Sequence, residues 1–217
     1  MSVYFEIKMT ALLQKDVQYT LEEYIKLEKS SEEKFEFYDG IVWSMAGASI
    51  DHETIISNLD FAFRRQFQGR NCRVFLSNVR IKVPIYPPYR YPDLSAICGR
   101  PNIEMLQGLE VLTNPSLIVE VLSPSTEAFD LNDKFTYYKS IESFTEYLLI
   151  SQDRPHIILY TKQAENVWLQ REYNSLTDSV FLTSLDCEIN LTDIYENIEF
   201  SNLERPRFPV GLEYEER

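Results

Sequence analysis

This sequence predicts an α/β fold, a central mixed β-sheet flanked by helices, with a further helix and hairpin on its N-terminal side. Three observations carry that expectation. The run Leu117-Ile118-Val119-Glu120-Val121-Leu122 is apolar at both parities of the strand period, the pattern of a strand covered on both faces. A helical pattern follows, with Leu131, Lys134, Phe135 and Tyr138 at i, i+3, i+4 and i+7. A second buried-strand run, Glu146-Tyr147-Leu148-Leu149-Ile150, comes next, so strands and helices alternate as in a layered α/β protein.

Taken in order, residues 1–18 read as a leader, residues 19–200 as a single domain and residues 201–217 as a C-terminal tail. A helix begins after Thr20, which forms a capping box with Glu23, while Tyr19 is placed to staple onto Tyr24. It dissolves near Ser30-Ser31. Two short strands then flank Asp39-Gly40, a pair that suits a type I′ hairpin turn, and alternation places Glu36 toward solvent. A second helix runs from about Ile50 to Gln68, closed by Gly69 at C′, with Ile55, Ile56, Leu59 and Phe63 as its apolar face. Extending that face back one turn reaches His52.

Strands are expected at Cys72–Leu76 and Val79–Ile85, before a proline-rich turn over residues 84–92 that no regular element can cross. Asp93 opens the next strand, and residues 99–116 read as a surface connection with one helical turn. After Ile150, residues 156–162 and 166–173 form a hairpin, followed by a small strand at Ser179–Thr183 and a helical turn near Leu191–Tyr195.

Composition bounds the function. The chain carries a net charge of −13, which taken whole argues against nucleic acid as a partner. Its distribution argues the other way. Between Phe61 and Arg100 there are eight basic residues against the single acid Asp93, so the segment carries +7. Within it Arg64, Arg65, Arg80, Lys82 and Arg90 are candidate phosphate contacts. Arg64 and Arg65 also suit the C-terminal dipole of their helix without any ligand. The three cysteines, Cys72, Cys98 and Cys187, form no C-x-x-C pair and read as reduced and structural. No apolar signal segment or membrane span is present, so the expected location is cytoplasmic.

The chemistry centres on Glu120. An unpaired carboxylate inside a doubly covered strand is costly, so it needs a cation, a metal ion or a proton held through a raised pKa. Lys134 sits in the apolar stripe of the following helix and can supply the cation. If Asp93 lies on a neighbouring strand, two carboxylates meet at one sheet end, a hard-oxygen site suited to Mg²⁺ or Mn²⁺. Such an ion beside a lysine serves phosphodiester hydrolysis. The competing reading of Glu120 and Lys134 is a buried ion pair that only stabilises the fold.

These features resemble the PD-(D/E)XK nuclease superfamily, and more closely the Uma-type restriction-endonuclease family, first catalogued as a domain of unknown function. The residues that carry the likeness are YDGIVWSMAGAS, the helix with His52, YPDLSAICG, LIVEVLSPSTEAFDLNDKF and EYLLISQDRPHIILY. The resemblance implies a restriction-endonuclease-like core and a metal-dependent endodeoxyribonuclease with DNA as partner, working as a homodimer. It implies Asp93, Glu120 and Lys134 as catalytic residues, and Asp93, Glu120 and the carbonyl of Val121 as metal ligands. Glu36 and His52 resemble recurrent polar positions of the family. The chain departs from the superfamily pattern at Leu122, where a lysine is expected. Lys134 fits as its displaced equivalent, with Lys139 next in order. A different class of function remains open, a nucleic-acid-binding or assembly protein that keeps the nuclease scaffold without cleaving.

Overall fold

The structure, a computed structural model, describes residues 18–45, 47–85, 89–123 and 127–200. The tail expected over 201–217 and all but Gln18 of the leader lie outside them, as does the centre of the proline-rich turn. No helix of the described residues is long and apolar enough to cross a membrane.

The chain opens with α1 (Leu21–Ser30), where Thr20 accepts a hydrogen bond from the Glu23 amide and Glu23 reaches back to the Thr20 amide. Strands β1 (Phe35–Tyr38) and β2 (Ile41–Ser44) pair antiparallel across Asp39 and Gly40. Both turn residues have positive φ, 47° and 82°, as the type I′ turn requires. Helix α2 (Ile50–Gln66) starts at Ser49, whose hydroxyl accepts from the His52 amide, and buries Ile55, Ile56, Leu59 and Phe63. It ends slightly earlier than its pattern predicts: Phe67 is the C-cap, and Gly69 takes its positive φ of 74° two residues later.

Next come β3 (Cys72–Leu76), β4 (Arg80–Lys82), β5 (Tyr89–Arg90), β6 (Leu94–Cys98), β7 (Ile103–Leu106), β8 (Leu109–Leu112) and β9 (Leu117–Leu122). A helical segment follows in three consecutive pieces, α3 (Glu127–Phe129), a π-helical turn (Asp130–Lys134) and α4 (Phe135–Tyr138). The chain continues with β10 (Glu146–Ser151), β11 (Ile157–Ala164), β12 (Val167–Tyr173), β13 (Ser179–Leu182), β14 (Cys187–Asn190) and α5 (Leu191–Ile194).

The central sheet is mixed and has six strands in the order β12-β11-β10-β9-β6-β3. Strand β9 runs parallel to β10 and antiparallel to β6. Its two faces meet different cores, as a doubly apolar strand must. Leu117, Val119 and Val121 pack with Leu59 and Phe63 of α2, whereas Ile118 and Leu122 pack with Phe135 and Tyr138 of the later helix. Glu120 shares the second parity and therefore turns toward that helix.

Four expectations need correction. The strand expected over Val79–Ile85 is only Arg80–Lys82, β4, and it lies in a second sheet, ordered β5-β4-β8-β7, outside the central one. The connection over residues 99–116 is not a loop with a helical turn, because β7 and β8 form a hairpin of that sheet around Gln107 and Gly108, both at positive φ. Its strand character was hidden because Ile103, Glu104 and Met105 are all exposed and give no inward alternation. Strand β14, paired with β13, was not expected at all.

The cysteines provide the fourth. Cys72 and Cys98 stand directly opposite in the β3–β6 ladder and are joined by a disulfide, while Cys187 is free and buried. Their 26-residue separation in sequence concealed a contact that strand register creates.

Candidate active site

The β6–β9 register pairs Leu94 with Val119, and continuing it one step sets Asp93 across from Glu120. Here β6 ends, and the Asp93 side chain takes over the ladder. The Val121 amide donates to Asp93 Oδ2 at 2.7 Å, and the Asp93 amide points at Glu120 Oε2 at 3.4 Å. In a strand, the N–H and C=O of one residue face the same neighbour, so the Val121 carbonyl turns toward the Asp93 side too.

Lys134 reaches the same place from the helix. Its Nζ lies 3.1 Å from Glu120 Oε1 and 3.0 Å from Asp130 Oδ1. Tyr138 adds a hydrogen bond from its hydroxyl to Glu120 Oε1 at 2.8 Å. The π turn lies between Asp130 and Lys134, and the Tyr147 hydroxyl holds its start by donating to the Asp130 carbonyl at 3.1 Å. Single π turns of this kind recur at functional sites.

His52 approaches from the third side. The Ser49 hydroxyl at the head of α2 is tied to Gln152 just beyond β10, at 2.6 Å, which brings the first helical turn over the sheet end. His52 Nε2 then sits 3.2 Å from Asp93 Oδ2. Sequence reasoning thus placed Asp93, Glu120, Lys134 and His52, and the structure brings all four together. Lys139 is elsewhere, exposed, with its ammonium 4.8 Å from the Phe135 ring centroid.

Glu36 does not face solvent. It is 4% exposed and forms a salt bridge with Arg90, itself 1% exposed, close behind the Lys134 cluster. Arg90 is accordingly withdrawn as a phosphate contact, because a guanidinium sealed in the interior cannot meet a backbone phosphate. Arg80 is also largely committed, to Glu28 at 3.3 Å and over the rings of Tyr89 and Tyr91. Lys82 pairs with Glu104 and the exposed Arg64 with Asp60, while Arg65 is exposed.

Asp130 and Tyr138 are the contributors whose roles were missed. Asp130 lies four residues before Lys134, the acid-to-lysine spacing that brings such side chains together on a helix, so its signal was available. The cluster is strongly acidic: Glu120 and Asp130 share the ammonium of Lys134, and Asp93 stands beside them against His52. Burial pushes the Glu120 carboxyl well above the usual range, partly offset by Lys134, while Asp93 and Asp130 push it further. Burial opposes the charge on Lys134, but Glu120 and Asp130 outweigh it and raise the ammonium's pKa. His52 is raised too: burial lowers it, and the hydrogen bond and charge of Asp93 prevail.

Among the described residues no group of three or more His, Cys, Asp and Glu side chains is arranged as a metal site. The donor set fits a divalent ion differently, through two carboxylates and one main-chain carbonyl, all hard oxygens, in a cluster whose acids outnumber its cations.

The mixed central sheet flanked by helices defines the fold class as restriction-endonuclease-like, and the carboxylate pair and lysine lie at one end of its central strands. A crystal structure described as "a putative nuclease belonging to DUF820", from Anabaena variabilis, superposes with a TM-score of 0.65 over 82% of this chain and 97% of that one, at 19% identity. Residues 21–192 match the Uma2 family, described as "Putative restriction endonuclease", and the chain belongs to that family. Two uncharacterised proteins of Synechocystis sp. are similar to it. One, slr1290, is 34% identical over 82% of this chain and 92% of its own length; the other, sll1609, is 37% identical over 70% and 86%.

Proposed function

We propose that this chain is a metal-dependent endodeoxyribonuclease that hydrolyses DNA phosphodiester bonds at the Asp93, Glu120 and Lys134 cluster. The observation that carries the reading is the convergence of Lys134 on Glu120 at 3.1 Å, at the sheet end that Asp93 closes. Asp93, Glu120 and the Val121 carbonyl would hold Mg²⁺ or Mn²⁺. When bound, such an ion polarises a phosphoryl oxygen and lowers the pKa of a coordinated water. Membership of a family described as "Putative restriction endonuclease" supports the substrate class.

The protein's own groups have separable tasks. Lys134, kept charged by Glu120 and Asp130, donates hydrogen bonds to the phosphoryl group as negative charge grows on its oxygens. His52 and the Val121 amide fix the Asp93 carboxylate, and Tyr138 fixes that of Glu120. Water adds to phosphorus and gives up a proton, one P–O ester bond breaks, and the departing oxygen takes up a proton in turn, so that the exchange is neutral overall. Of the five candidate phosphate contacts, Arg64, Arg65 and Lys82 are left to meet the DNA backbone.

Plasmid nicking in Mg²⁺ or Mn²⁺ tests the reading. Asp93→Asn and Glu120→Gln should each lose cleavage by about a hundredfold or more, keep the wild-type circular dichroism spectrum and lose Mn²⁺ binding in titration calorimetry. Folded variants that bind Mn²⁺ like the wild type would sink it. DNA binding by a wild type that takes up no Mn²⁺ would favour the non-cleaving scaffold protein instead, consistent with how fully Lys134, Tyr138 and the Asp93 amide occupy Glu120.

A further inference from the structure

Four aromatic rings meet where the β1–β2 hairpin touches the helix that carries Lys134. Tyr38 and Trp43 come from the hairpin, Phe129 and Tyr137 from the helix. The Phe129 centroid lies 5.6 Å from Tyr38 and 6.3 Å from Trp43, and Tyr38 lies 6.2 Å from Tyr137. All four rings are only half-buried. Tyr38, Trp43 and Phe129 belong to none of the three hydrophobic cores, and Tyr137 only flanks one. They lie beside the Lys134 cluster: Phe129 and Tyr137 both cover Arg90, which is paired with Glu36, and the charge of Glu36 acts on Lys134.

Arg90 gives the cluster its polarity. Its guanidinium carbon lies 5.2 Å from the centroids of both Phe129 and Tyr137. Being buried, it contacts these rings from the protein side and leaves their outer portions to solvent. A cation behind an aromatic ring draws electron density from it and favours stacking of an electron-rich heterocycle on the open side. Glu36 accounts for the burial of this cation, but a seam that only glued the hairpin down would not need the exposed ring area.

We infer that Tyr38, Trp43, Phe129 and Tyr137 form a stacking platform for unpaired nucleobases next to the scissile phosphate. The substrate is then single-stranded or locally unpaired nucleic acid rather than intact duplex. This rests on the nuclease reading for its substrate class. In a duplex each base face is covered by its neighbours, and an aromatic platform can engage only a base that has left the stack. Such a platform is tolerant of sequence, since every base offers a π-face.

The chain has two tryptophans, so Trp168→Phe leaves Trp43 as the sole indole reporter. This variant is titrated in EDTA with a thymidine oligonucleotide, an abasic strand of the same length and a perfect duplex. The expected result is saturable quenching by the thymidine strand, about tenfold weaker binding of the duplex, and no quenching by the abasic strand. With native Trp168 and a labelled strand, Trp43→Ala should weaken binding about tenfold, and Trp43→Phe should restore it.

Equal quenching by abasic and thymidine strands, or a duplex bound as tightly as the single strand, overturns the platform. EDTA separates this outcome from the chemistry. Quenching as expected in a protein that no metal activates leaves the platform standing and removes the nuclease. Duplex cleavage in Mn²⁺ without Trp43 quenching removes the platform alone.

Discussion

At the scale of single residues, Glu120 was legible because it is the one charged side chain in a six-residue strand otherwise made of Leu, Ile and Val. Asp130 was harder to assign: Asp130 and Asp133 both flank the apolar stripe, and the π turn decides that Asp130 is buried while Asp133 is exposed. The buried acids make a stability prediction. Burial raises the Glu120 carboxyl, so the folded protein holds that proton more tightly than the unfolded chain does. Ionising Glu120 therefore costs stability. The cost is absent below the ordinary carboxylate range and grows as pH rises from there through the raised value. Glu120→Gln keeps the shape and leaves Lys134 paired with Asp130. The metal-free variant should thus melt a few degrees higher than the wild type at neutral pH, and the gap should close near pH 4. A variant that melts lower at neutral pH than near pH 4, relative to wild type, would refute it. The cysteines offer a second check at this scale. Thiol titration of the unfolded, unreduced chain should find one thiol, Cys187, and a count of three would contradict the Cys72–Cys98 bridge.

At the scale of elements, strands β9 and β10 were readable from apolar runs covering both parities, broken only by one glutamate each, and α1 and the first hairpin from their cap and turn residues. The β7–β8 hairpin was not, since one of its strands is exposed along its length and its turn is Gln-Gly rather than Asn-Gly or Asp-Gly. Helix and strand together bear on the proposal that Lys134 stands in for the lysine missing at Leu122. Leu122 and Glu120 share a parity of β9, and Leu122 packs in the same core as Phe135 and Tyr138. A side chain at 122 and one at 134 therefore approach the same space from opposite elements. If the reaction needs one ammonium there, its point of attachment is secondary. Lys134→Met should keep the fold and lose cleavage by about a hundredfold or more, because Met fills similar volume without charge. Adding Leu122→Lys should recover about a tenth of the lost activity, at a cost of about 1–3 kcal/mol from placing a charge in a packed strand. Unchanged plasmid nicking by Lys134→Met alone would end the displaced-lysine assignment.

At the scale of the whole molecule, the second sheet, α1 and the first hairpin surround a third core of Tyr24, Phe37, Tyr89, Tyr91 and their neighbours. Two buried ionic links join these parts, Glu28 with Arg80 and Glu36 with Arg90. Neither was legible, because alternation along β1 put Glu36 on a solvent face, and a basic segment invites assignment to a ligand. What covers the Glu36 side of β1 is Arg90, distant in sequence, together with the helix of Lys134, whose Phe129 and Tyr137 pack on both Arg90 and Tyr38, the residue that shares Glu36's parity. The Glu36–Arg90 link also sits behind the Lys134 cluster, so its loss should be felt in both stability and the site. Removing one partner leaves the other charge buried without compensation, a cost of about 3–5 kcal/mol. Glu36→Leu and Arg90→Met should each lower stability by that amount in urea unfolding. The double variant removes both charges and fills the space with apolar volume, so it should lose less stability than either single variant, which makes the coupling energy larger than one single loss, about 3–5 kcal/mol or more. Additive losses in the double variant would mean that the two side chains contribute separately, and that the hairpin is held to the second sheet by its aromatic core alone.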